Sequence, residues 1–360
     1  MRSNSWTRGF ACDVRAYALN RASRTLLESL RGWPGAAHAN PVKAMRVRGD
    51  DGGDVSFQAG EAGAEALAWI VDVPALEAQL AQAVQYQPYI EVVAAPVPAT
   101  LTVVCEGRAS ASRDEFGVEF DVAPYGHDAI AARVVCDMPH GDVAHQWFHN
   151  GEILGLLPLG DAVDGVAGNS MAVVWSVPHD RALELLQLDA TAFCQALQTA
   201  SQDAVGAMTL AAGRASWPLQ LARATRWVGR HNVRADGAQV ESGLAWALAG
   251  DAAHSVHPLS GQGLNLGLAD VAELGRLIAG RESWRSVADI RLLRRYERAR
   301  KLDAALLAGA TDGLQRLFAQ SGKLWQGVRN GGMNSFDSSA FLKQWVAARA
   351  SGGASVRVAR

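Results

Sequence analysis

Gly250 and Asp251 end the short apolar run "LAWALAG", and Gly261, Gln262 and Gly263 open an apolar-periodic segment a little further on. If the run is a buried parallel strand, Asp251 stands at its carboxyl end, the edge where α/β sheets bind ligands. Glycines at a helix start let backbone approach a ligand, and the unpaired amides and positive dipole end favour an anion. A carboxylate facing hydroxyls and a helix N-terminus facing negative charge suit a nucleotide cofactor. A turn and helix cap joined by connecting glycines would give the same spacing, so spacing alone leaves both open.

Other chemistry-bearing residues offer less. His254 with His257, and His145 with His149, have no carboxylate or cysteine at ligand spacing, so packed or polar histidines are expected rather than a metal. No Gly-x-Ser-x-Gly elbow anchors a hydrolase triad. "RLLRRYERARK", residues 291–301, reads as a basic amphipathic helix, a solvated face or a membrane-surface patch. Trp147, Phe148 and Trp175 fall in strand-like runs, where they pack between sheet and helices or line an apolar pocket.

The elements that must position these residues follow from pattern and composition. The chain has 360 residues, 49% of them hydrophobic, enough for two domains or one large α/β domain. Lys plus Arg (34) nearly balance Asp plus Glu (36), which argues against dedicated nucleic-acid binding. Cys12, Cys105, Cys136 and Cys194 are scattered and read as reduced cytosolic thiols. No run reaches the roughly 20 apolar residues of a spanning helix, and no signal-peptide core is expected, so a cytoplasmic protein, at most bound at a membrane surface, is the reading.

Asn20 should cap a helix through "RASRTLLESL", with Leu26, Leu27 and Leu30 on one face. "KAMRVRG", "DVSFQAG" and "ALAWIVDV" read as strands, "PALEAQLAQAVQY" as a helix, and "IEVVAA" and "TLTVVCEG" as strands. "HDAIAARVVCDM", "VAHQWFH", "EILGLLPL" and "MAVVWSV" suggest an antiparallel sheet with one helical interruption at "ATAFCQALQTA". Beyond Asp251 the pattern is nearly all helical.

"GDAAHSVHPLSGQGLNLGLAD" resembles the second FAD-binding motif of the aromatic-ring flavoprotein monooxygenases, specifically the ubiquinone-biosynthesis hydroxylases, with Ser260 replacing the more usual alanine. "DVRAYALNRASRTLLESLRGWP", "PYGHDAIAARV", "WFHNGEILGLLPL", "LRRYERARKLD", "ATDGLQRLF" and "RNGGMN" extend the resemblance in order along the chain. It implies an incomplete Rossmann-like FAD-binding domain in 1–40, 70–115 and 236–280, a β-rich substrate domain in 41–69 and 116–235, and a helical region in 281–360. It also implies that Gly250 and Asp251 meet FAD ribityl hydroxyls, and that amides of Gly261, Gln262, Gly263, Leu264 and Asn265 face the pyrophosphate and flavin. Pro258 would lie beside the flavin face and Arg15 would be a further contact. "CEGRASASR" resembles the Asp-Gly motif of the family, with Glu106 where aspartate is usual and Gly107, Ser110 and Arg113 in place. The extra methylene of Glu106 could misplace a hydrogen bond.

The family's opening strand, Gly-x-Gly-x-x-Gly loop and helix have no counterpart here, which leads us to expect an uncovered sheet neighbour, poor stability and weak FAD affinity. A start site assigned too late and a degenerate protein both explain it. The resemblance implies an FAD-dependent hydroxylase that uses NAD(P)H and O2 on a polyprenylated phenol, with possible peripheral membrane contact and membership of a ubiquinone-biosynthesis protein complex. No catalytic acid or base is named. The alternative is a non-catalytic accessory protein that holds a lipid-like quinone precursor or a partner protein.

Overall fold

The computed structural model describes residues 13–49, 53–61, 63–160, 168–235, 238–255 and 262–319. These form two compact units. Unit one draws chiefly on residues up to Gln87 and on Gly126–Leu219, and unit two on Pro88–Tyr125 and Gln220–Gly313. The mixed α/β class expected from the sequence is the one observed.

Unit one begins with β1 (Ala16–Leu19), α1 (Arg21–Ser29), β2 (Ala39–Val42), β3 (Ala44–Arg48), β4 (Asp54–Gln58), β5 (Ala68–Asp72) and α2 (Val73–Gln85). Asn20 caps α1, accepting a hydrogen bond from the Ser23 amide at 2.9 Å; Leu27 turns inward while Leu30 stays at the surface. β1, β5 and β2 form an antiparallel sheet in that order. The chain then enters unit two through β6 (Leu101–Val104) and α3 (Ala111–Glu115) and returns within β7 (Phe120–Cys136).

In unit one β7 joins β8 (Val143–His149), β9 (Glu152–Pro158) and β10 (Ser170–Pro178), giving the order β7-β10-β9-β8-β3-β4. Every pair is antiparallel except β3 with β8. Two helices follow where one was expected, α4 (His179–Gln187) and α5 (Ala190–Ala200), because "HDRALELLQ" also turns Ala182 and Leu185 inward at helical spacing. They pack on Trp147, Leu154, Leu156, Val173 and Trp175, so both tryptophans serve packing between sheet and helices. β11 (Met208–Leu210) pairs with β7 before β12 (Ala215–Ala224) leads back to unit two.

The opening segment belongs with this antiparallel unit by its contacts. Arg133 of β7 donates to the carbonyls of Val14 and Arg15, both at 3.3 Å, and forms a short ion pair with Asp72. Ala16, Val42 and Ile70 share a cluster with Ala144, Leu159 and Ala172.

Unit two contains β13 (Val228–Ala235), β14 (Ala238–Leu248), β15 (His254–Ser255), α6 (Gln262–Ala279) and, up to Gly313, α7 (Ile290–Ala319). Its sheet runs β13-β14-β6, with β14 and β6 parallel and Ala247 opposite Val103. "IEVVAA" does not form the expected strand; its stretch is exposed, with Tyr89 99% and Val92 74% accessible. β-branched residues make a strand only where a neighbour supplies a ladder. Among the described residues none pairs with the outer edge of β6, where Val103 is exposed.

Candidate functional site

The "LAWALAG" run is the end of β14, and its final residues are buried because β6 and β13 flank it. At Gly250 the chain turns with φ +59°, a left-handed conformation natural to glycine, into a single 3-10 turn, Gly250–Ala252. Gly267 of α6 sits so close that a Cβ there would lie 3.3 Å from the Gly250 Cα. Two glycines therefore let the turn and the first part of α6 meet backbone to backbone.

A buried polar cluster fixes that meeting. The fully buried Asp270 carboxylate accepts from the Gly250 amide at 2.9 Å and His254 Nε2 at 2.6 Å on one oxygen, and from Arg300 Nε at 2.7 Å on the other. Arg300 also reaches Asp303 and the Leu266 carbonyl. His254 stacks on Trp227 with ring centroids 4.8 Å apart. One step earlier, the Tyr296 hydroxyl donates to the Leu248 carbonyl at 2.8 Å, which satisfies the last acceptor of β14; burial pushes that phenol far above its ordinary pKa.

Asp270, His254, Tyr296 and Arg300 were not singled out for the site in the sequence. The signal was present: Leu292, Leu293, Tyr296, Arg300 and Ala304 are buried at helical spacing along α7, so the basic segment turns one tyrosine and one arginine inward. His254 Nε2 bonds the Asp270 carboxylate, and His257 lies outside the described residues.

Asp251 is exposed at the tip of the turn. Desolvation by the surrounding chain nevertheless raises its carboxyl pKa, opposed by His254 and Arg108. The exposure is the more telling fact for function, since it leaves the carboxyl within reach of a hydroxyl-bearing ligand. Gly263, Leu264 and the buried Asn265 lie in the first turn of α6, as expected. Pro258 and Gly261 lie outside the described residues, as does the side chain of Gln262.

The loop after β6 is arranged around Glu106. Its carboxylate accepts from Ser110 Oγ at 2.9 Å, the Ser112 amide at 3.0 Å and Ser112 Oγ at 2.6 Å, and the Ser112 hydroxyl leads in holding its pKa below the ordinary value. Gly107 takes a left-handed φ of +77°, and Ser110 caps α3 through the Arg113 amide. Arg113 is buried over the Phe120 ring and donates to the Ala252 carbonyl at 3.4 Å, while its Nε has no partner. Glu106, Gly107, Ser110 and Arg113 are thus brought into one unit with Gly250 and Asp251, with Arg113 linking loop and turn. Arg15 belongs to unit one, where Asp13 holds its guanidinium at 2.6–3.0 Å.

A profile described as "FAD binding domain" matches residues 84–310. The chain belongs to that family. Over 224 residues it is 34% identical to ubiquinone hydroxylase UbiL of Rhodospirillum rubrum, covering 62% of this chain and 47% of that protein. It is 32% identical over 223 residues to the Synechocystis protein slr1300, covering 61% and 48%. The chain thus spans about half the length of these relatives. With 3-demethoxyubiquinol 3-hydroxylase of Escherichia coli it shares 27% identity over 360 residues, covering 92% and 85%. Its fold is that of p-nitrophenol 4-monooxygenase PnpA of Pseudomonas putida (TM-score 0.68, 13% identity, 94% and 87% covered) and of HpxO of Klebsiella pneumoniae, solved with FAD and uric acid (TM-score 0.61, 15% identity, 90% and 84% covered).

The residues present fit FAD on one side of this family site. Asp251 offers a reachable carboxylate, and the first turn of α6 presents amides. Glu106 fits less well, because both its oxygens already serve serines of its own loop.

Proposed function

We propose that this chain is an FAD-dependent aromatic hydroxylase acting on a polyprenylated phenol of ubiquinone biosynthesis, with NAD(P)H as reductant and O2 as co-substrate. The observation that carries this reading is the Gly250–Asp251 turn locked to α6 through Asp270. When bound, FAD supplies the redox chemistry that joins oxygen to an electron-rich ring. Asp251 would accept hydrogen bonds from the cofactor's hydroxyls, and the amides of Gly263, Leu264 and Asn265 would face its negative charge. The names of the Rhodospirillum and Escherichia relatives support the substrate class.

The Glu106 carboxylate, which accepts three hydrogen bonds within its own loop, favours a second reading, a non-catalytic relative that holds the quinone precursor or a partner protein. Incubating the purified chain with FAD, desalting it and recording its visible spectrum separates the two. The hydroxylase reading expects a retained flavin band and a drop in FAD affinity of about tenfold or more in Asp251→Asn, the scale of losing hydrogen bonds to a charged group. A folded, colourless protein would sink it. The same carboxylate titrates above the ordinary range, so FAD retention should fall on acidification at a higher pH than an ordinary aspartate would give.

A further inference from the structure

At the edge of the antiparallel sheet in unit one lies a depression of about 360 Å³ lined by Arg46, Arg48, Asp54 and Ser56. Strand register explains its composition. Arg46 lies opposite Ser56 on β4 and His145 on β8, and Arg48 lies opposite Asp54 and Trp147. Cross-strand partners share a face, so these six side chains belong to one face of the sheet. Further in, that face is apolar, with Trp147, Leu154, Leu156, Val173 and Trp175 buried under α4 and α5. Only at its edge does it become cationic.

Among the described residues the charges there do not cancel. Arg48 meets Asp54 at 3.7 Å, and Arg46 has no acidic partner among the described residues. Beside them His145 and Trp147 are 7% and 3% exposed, with rings stacked 5.4 Å apart. The Nδ1 of His145 and the indole Nε1 of Trp147 have no hydrogen-bond partner. Each orphaned buried polar group costs about 1–3 kcal/mol, so the sheet carries two unsatisfied groups directly behind the two guanidiniums. Burial first, and then Arg46 and Arg48, hold His145 down to about 4, which keeps its imidazole neutral at pH 7.

We propose that Arg46, Arg48 and Ser56, backed by His145 and Trp147, form a binding site for a phosphate group. Two guanidinium forks offer more donors than the two oxygens of a carboxylate can use, and they match a tetrahedral oxyanion. The group could come from a free phosphate ester or from a lipid headgroup, which share this chemistry. The site lies on the β3–β4 edge and requires no flavin.

The test follows the indole N–H resonance of Trp147 in the ¹⁵N-labelled full chain, assigned by its loss in Trp147→Phe. Inorganic phosphate is titrated against a chloride series of equal ionic strength, and vesicles of phosphatidic acid are compared with vesicles of phosphatidylcholine. A saturable shift with phosphate, weakened about tenfold or more in Arg46→Gln and in Arg48→Gln, is expected. The other tryptophan resonances of these surface variants report whether each is folded. A shift with phosphatidic acid vesicles alone supports the site and assigns the group to a lipid headgroup. An equal shift with chloride, no shift with either phosphate source, or saturable binding indifferent to both arginine variants would overturn the proposal.

Discussion

The two sides of the parallel pair in unit two differ sharply. At the end of β14, backbone and side-chain groups find partners: Leu248 receives Tyr296, Gly250 donates to Asp270, and His254 and Arg300 complete that carboxylate. Along the outer edge of β6, and through the chain that precedes it, apolar residues face solvent instead, with Tyr89, Ile90, Val92, Val93, Val97 and Val103 all exposed. β14 and β6 belong to one sheet of three strands. The same unit thus ties the turn after β14 to α6 and α7 through buried hydrogen bonds while the apolar residues beside its other strand are exposed. The bonds that hold the turn come from side chains of α6 and α7.

The largest effect should come from Asp270→Asn. Asp270 is fully buried, and removing its charge leaves Arg300 buried without its central counter-charge and weakens the bond to His254. Breaking one partner of a buried pair costs about 3–5 kcal/mol. Urea denaturation of the variant should show a loss of that size, and pairing it with Arg300→Met should recover part of it. A loss below about 1 kcal/mol would show that the locked side is no more determined than the open one.

Tyr296→Phe is a milder break of the same side. It removes the one hydroxyl that reaches the Leu248 carbonyl and leaves the ring in place among Trp227, Leu292 and Leu293. The expected cost is about 1–2 kcal/mol, since a buried acceptor loses its donor while packing is kept. Thermal unfolding followed by near-ultraviolet dichroism would measure it. An unchanged midpoint would mean that solvent or a shift of α7 satisfies Leu248 equally well.

The contrast also explains how far residue pattern alone reached. The strands of the antiparallel sheet were legible because apolar β-branched runs bounded by Gly, Asp and Asn carry their own signal, as in "MAVVWSV" and "EILGLLPL". Gly250, Asp251 and the start of α6 were legible because spacing and resemblance agreed there. "IEVVAA" misled for a physical reason, since its composition suits a strand and pairing is a property of neighbours that composition does not contain. The Asp270 cluster was hidden similarly: its members are separated by up to 46 residues of sequence between His254 and Arg300, and a lone buried arginine on a basic helix looks like one more solvated charge until the helix is seated. Glu106 was recognised by position, but only the structure shows its two oxygens occupied by Ser110 and Ser112.

The smallest effect on folding should come from the open side, where Val92→Lys and Val103→Lys place charges on exposed positions. Substitutions at such sites change stability by no more than about 0.5 kcal/mol. Their effect should appear instead in self-association, because an unpaired strand edge flanked by exposed apolar residues is a template for another chain and a lysine there discourages pairing. Concentration-dependent light scattering of the two variants against the parent chain reads this directly. A fall in scattering with an unchanged denaturation midpoint would confirm that the β6 edge governs association while the Asp270 cluster governs stability. A stability that falls by more than about 1 kcal/mol would mean that the edge is packed after all, and the division between the two sides would fail.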